Sequence, residues 1–138
     1  MGNKNIESVM QEHRVFPPTA EFIKQANALC KTMNEQVEAL PDPGNDPAKR
    51  VEALDQVVGI VGSTLTKLRE LSLPEGDEAT IRLIYAKFNR VNVDFQKLRT
   101  PIQNGEVAKV KALSAQLDKD TKDANKASIE YGLTVCGE

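Results

Sequence analysis

The chain has 138 residues, and its 18 basic and 20 acidic side chains leave a net charge of −2. That length gives one domain able to bury about two thirds of its unfolded surface, and the charge lacks the basic excess that binding to nucleic acid or anionic lipid needs. Leu, Ile, Val and Phe supply about a quarter of the residues, enough to fold, whereas the absence of Trp and the single His leave few stacking platforms, metal ligands or proton shuttles.

In chain order, residues 1–18 form an irregular N-terminal strap. Ile6, Val9 and Met10 suit a short amphipathic turn, and Val15-Phe16-Pro17-Pro18 reads as extended, with Phe16 tucked against the rest. Met1-Gly2 could open an N-myristoylation signal, but Ile6 stands where Ser or Thr is needed. The start does not resemble a signal peptide, and no apolar run approaches the roughly 20 residues that span a bilayer.

Residues 19–138 read as four helices. Phe22, Ala26, Leu29, Met33, Val37 and Leu40 recur at three or four residues, with Thr19 available as N-cap and Pro41 and Pro43 as terminators. Asp46-Pro47 starts a second helix with an N-cap and a proline at its first position, and Val51, Leu54, Val58, Val61, Leu65 and Leu68 mark its face before Pro74 and Gly76. Asp77 opens the third, where Ile81, Ile84, Phe88, Val91, Phe95, Leu98 and Ile102 alternate spacings of three and four, as in a packing seam, and Pro101 should kink or end the run. After Asn104-Gly105, Val107, Val110, Leu113, Leu117, Thr121, Ala124 and Ser128 run along a fourth helix closed by Gly132. Short connections cannot carry the chain back along a helix, so an all-α, up-down-up-down antiparallel four-helix bundle is expected.

Cys30 and Cys136 are the most informative pair. Helix four should end where helix one begins. Cys30 then lies about 16 Å up helix one, and the tail from Gly132 to Cys136 can travel roughly 13 Å back. A disulfide is geometrically open and would imply an oxidising compartment; the alternative is a buried Cys30 thiol and an exposed Cys136 thiol in a frayed tail.

Other chemistry is thin. Two distant Cys and one His cannot close a zinc site, and His13 has Met10, not Glu, three residues before it, so a di-iron carboxylate bundle is not indicated. Asp118, Asp120, Asp123 and Glu130 miss the calcium-loop positions and read as a solvated face interleaved with Lys119, Lys122 and Lys126. No serine sits in a Gly-x-Ser-x-Gly setting, so no catalytic residue, metal or cofactor is assigned. Gly59, Gly62, Ser63 and Thr66 fall on one small-residue face of helix two, where two glycines cost roughly 2 kcal/mol relative to Ala. That cost calls for a gain: close packing of a neighbouring helix, or an interaction groove.

Two resemblances add to this reading. Residues 6–27, IESVMQEHRVFPPTAEFIKQAN, resemble the N-terminal segment of acetyl-CoA synthetases, through Glu12, Arg14, Val15, Phe16, Pro17, Pro18, Glu21, Phe22, Ala26 and Asn27. That segment lies outside the catalytic motifs, which have no counterpart here, so acetyl-CoA ligation is not implied. The resemblance implies instead a cytosolic accessory or regulatory module whose strap, Arg14, Phe16, Pro17 and Pro18, mimics the synthetase and competes for its docking site. From Ala28 onward the layout is similar to small secreted or lipid-anchored helical domains of Gram-positive bacteria, particularly actinobacteria. It rests on Ala28-Leu29-Cys30, Pro74 to Asp77, Asn104 to Glu106, and the Tyr131 to Gly137 ending. This second resemblance implies an extracytoplasmic, non-enzymatic interaction or small-ligand-binding domain, monomeric or homodimeric, with the small face of helix two and the seam of helix three as contact surfaces.

Overall fold

The structure, a computed structural model, describes residues 19–138. Four long helices, α1 (Thr19–Glu38), α2 (Pro47–Glu70), α3 (Glu78–Lys97) and α5 (Val107–Tyr131), and the five-residue α4 (Arg99–Gln103) build an all-α four-helix bundle, with no strand among the described residues. The strap residues Arg14, Phe16, Pro17 and Pro18, together with His13, lie outside the described residues.

The boundaries follow from local chemistry. Asp46 caps α2, its Oδ1 accepting the Ala48 N–H at 3.0 Å ahead of Pro47 at the first helical position. Pro101 ends the third helical run as expected, since it has no N–H for the carbonyl of Lys97 four residues back. The helix stops at Lys97, and Pro101, buried, sits in the first turn of α4, where its missing N–H costs nothing. α5 ends in a Schellman motif: Gly132 takes φ +108°, the Gly132 N–H donates to the Ile129 carbonyl at 3.0 Å, and the Leu133 N–H donates to the Ser128 carbonyl at 2.8 Å.

Cross-helix bonds record the antiparallel register. Tyr85 Oη, near the start of α3, donates to the Leu68 carbonyl near the end of α2, whereas Arg99, just past α3, pairs with Asp55 in the early turns of α2. Lys87 pairs with Asp123 at the middle of α3 and α5, and Tyr131 at the end of α5 donates to Asp77 ahead of α3. The main core lies at this last end, where Phe22, Ala26, Leu65, Leu68, Ile81, Ile84, Tyr85 and Leu133 gather around the two cysteines.

The bundle is not closed evenly. α1 packs on α2, α2 on α3, and α3 on α5, but among the described residues the backbones of α1 and α5 stay apart. Residues 132–138 span that gap. The tail turns back on α1, where the Val135 N–H donates to Asn27 Oδ1 at 3.1 Å and Asn34 Nδ2 donates to the Val135 carbonyl at 3.3 Å. The Cys30–Cys136 disulfide fastens it, with the two Cα atoms 5.0 Å apart. The alternative of an exposed Cys136 thiol is therefore overturned: Cys136 is buried, and the tail is ordered by Asn27 and Asn34, one turn either side of Cys30 on the same face of α1.

Candidate functional site: the cleft between α1 and α5

Because the backbones of α1 and α5 stay apart, and their side chains meet at one end through Phe22 and Tyr131, the apolar faces of the four long helices are not fully spent on one another. A cleft of about 220 Å³ opens between them. Met33 and Val37 line it from α1, Val57 and Val61 from α2, Phe88 and Phe95 from α3, and Thr121 and Asn125 from α5. The Cys30–Cys136 bridge forms one end, and Glu138 is the only charged residue among those that line it. Met33, Val37, Val57, Val61, Phe88 and Phe95 are all half-buried, so apolar surface here still faces water, at about 25 cal/mol per Å². Thr64 Oγ1 is satisfied within its own helix by the Ile60 carbonyl at 3.0 Å, leaving the wall beside it effectively apolar.

The residues expected to form contact surfaces fall differently. The seam of α3 is divided: Ile81, Ile84, Val91 and Leu98 are buried in the bundle, and Phe88 and Phe95, half-buried, turn into the cleft. Gly59, Ser63 and Thr66 face solvent, on the side of α2 away from the cleft, since two residues are about 200° apart around a helix. Within that group only Gly62 approaches another helix: a Cβ placed there would meet Asn92 Nδ2 at 3.7 Å, ordinary contact, and at Gly59 it would meet nothing within 4 Å. Neither glycine is thus explained by close helix packing. Thr66 Oγ1 simply donates back to the Gly62 carbonyl at 3.1 Å.

The acidic face of α5 also departs from expectation. Asp118 and Asp123 are exposed, but Asp120 is buried against α3, where its carboxylate hydrogen-bonds to the Asp94 side chain and accepts from Gln116 Nε2 at 3.0 Å. Burial first, then the hydrogen bond to Asp120 and its negative charge, push the Asp94 carboxyl up to about 6; the same hydrogen bond, helped by Gln116, holds Asp120 below the usual carboxylate range. Below about pH 6 the pair thus shares a proton across the α3–α5 seam. Asp94 Oδ2 and Asn92 Oδ1 are the buried side-chain oxygens without a partner among the described residues, both on α3. The sequence signal for Asp120 was its place on the inward stripe with Leu113, Leu117, Ala124 and Ser128, three and four residues from neighbours on that face. No group of three or more His, Cys, Asp or Glu side chains that could hold a metal ion occurs among the described residues.

No described helix is long and apolar enough to cross a membrane. Comparison with protein-family models, with curated proteins and with solved structures gives no match to this chain.

Proposed function

We propose that this chain is a non-catalytic binding domain that takes a small apolar ligand into the cleft between α1 and α5, in an oxidising compartment outside the cytosol. The observation that carries the reading is the cleft itself: walls from all four long helices, an almost uncharged lining, and aromatic and aliphatic side chains left half-exposed where a closed bundle would bury them. Its volume of about 220 Å³ exceeds the roughly 150 Å³ cavity known to hold benzene and lies below the usual range for drug-sized ligands. One ring or a short alkyl chain is the occupant that fits. The disulfide supports the compartment, since structural disulfides persist where thiols are not kept reduced, and it fixes one end of the cleft without filling it.

The test uses fluorobenzene, a neutral single-ring probe whose ¹⁹F resonance shifts and broadens on entering a protein site. Saturable binding to the oxidised protein, lost in Val37→Phe and Val61→Phe variants that keep wild-type helicity and melting, is the expected result. Binding untouched by both fillings, or no binding, would remove the cleft reading. A free-thiol count on protein from its native host tests the compartment separately; two free thiols would return the chain to the cytosol and to the synthetase-like strap.

A further inference from the structure

A second depression lies outside the cleft, where α2 hands over to α3. Arg69 in the last turn of α2, Leu71 and Leu73 of the connection, and Glu78, Arg82, Tyr85 and Ala86 of α3 enclose about 570 Å³, within the range of small-molecule sites. Leu71, Leu73, Ala86 and the buried ring of Tyr85 make an apolar floor. The Tyr85 hydroxyl is already committed to the Leu68 carbonyl at 3.1 Å, so it offers the site its ring and not a donor.

The charges decide the chemistry. Glu78, one turn before Arg82, would ordinarily pair with it, but Glu78 Oε1 instead accepts the Gly76 N–H at 2.9 Å and closes the turn ahead of α3. Neither Arg69 nor Arg82 is in an ion pair among the described residues. Arg69 is close enough to Tyr85 for its charge to pull against the burial that raises the phenol. Two guanidiniums against one carboxylate leave this depression a local excess of one positive charge, on a chain whose net charge is −2.

We propose that this depression binds a small carboxylate with an aromatic or branched apolar body. A guanidinium fork matches a carboxylate bidentately, a monoanion balances the single excess charge, and the Leu71, Leu73 and Tyr85 floor receives hydrocarbon, not a hydroxylated body. The site is independent of the cleft and does not rest on the function proposed for it.

Phenylacetate and phenylacetamide, alike in shape and different in charge, are titrated into the ¹⁵N-labelled, disulfide-bonded protein. Expected are saturable backbone-amide shifts confined to residues 69–86 with phenylacetate, weakening with added salt. Binding should be about tenfold weaker for phenylacetamide, and for the Arg69→Gln/Arg82→Gln variant, as the loss of a charge-assisted hydrogen bond implies. Both arginines are exposed, so the variant should melt as wild type does; should it not, the phenylacetamide comparison on wild type decides alone. Equal binding of the two compounds, shifts only at residues lining the cleft, or no saturable shift would each overturn the proposal.

Discussion

Asp94 on α3 and Asp120 on α5 are hydrogen-bonded to each other inside the seam between the two helices, and each moves the other's titration in the opposite direction. The groups around the pair are Arg90 and Lys97 from α3, and Gln116 and Lys119 from α5. Asp94 titrates near 6 in the folded protein and near the ordinary 3.9 when unfolded, so between about pH 4 and 6 the native state holds a proton the unfolded chain has released. Stability from this group is full below pH 4 and is lost as pH rises through 6. Asp120, held low, works in the opposite direction below pH 4, where protonation removes its contribution. The melting temperature of wild type is therefore expected to fall by several degrees between pH 4.5 and 7 through this pair. Asp94→Asn, which mimics the protonated acid, should flatten that fall; an identical slope in both proteins would show that the pair does not share a proton.

The disulfide closes a loop with a sequence separation of 106 residues, for which the chain-entropy model gives roughly 4 to 5 kcal/mol. A Cys30→Ser/Cys136→Ser variant should lose about 2 to 5 kcal/mol in denaturant unfolding, and reductant should lower the melting temperature of wild type to that of the variant. Melting unaffected by reductant would mean that Asn27, Asn34 and the buried Leu133 hold the tail by themselves.

Much of the fold was legible because it rests on local rules. Asp46-Pro47, Asn104-Gly105 and Gly132 mark helix ends through their own backbone chemistry, and all three act as read. The reach of the tail gave the cysteine pairing as one of two options, and the structure selects the bridge. The cleft was not legible. Whether α1 meets α5 depends on how the helices tilt across the whole bundle, and Met33, Val37 and Phe95 look the same in sequence whether they close a core or line an opening. Asp77 shows the same limit. It stands at the cap position of α3, yet its Oδ2 accepts the Tyr131 hydroxyl at 2.6 Å and makes no cap bond, a choice set by a residue 54 positions away.

Two glycines should respond in opposite ways to the same change. Gly59 lies within α2 with open space where a Cβ would go, so Gly59→Ala is expected to stabilise by about 1 kcal/mol through helix propensity alone. Gly132 takes φ +108°, outside what an L-residue adopts, and a Cβ there would lie 3.1 Å from Ile23 Cδ1. Gly132→Ala should cost about 1 to 3 kcal/mol. Urea unfolding of both variants checks the contrast, and a destabilising Gly59→Ala would show that its bare backbone is used.

Asn27 and the disulfide hold the same tail, which makes their contributions interdependent. With the bridge intact, the tail has lost its freedom and the Val135 N–H finds Asn27 Oδ1 at little further entropic cost. Asn27→Ala then leaves that half-buried N–H without its partner and should cost about 1 to 2 kcal/mol. In the Cys30→Ser/Cys136→Ser background the tail is released for part of the time, and the same substitution should cost less. A double-mutant cycle by denaturant unfolding is expected to give a coupling of about 0.5 to 1 kcal/mol between the two features. Additive losses would mean that the tail stays docked without its bridge, and that the gap between α1 and α5 is spanned by Asn27, Asn34 and Leu133 before the cysteines join.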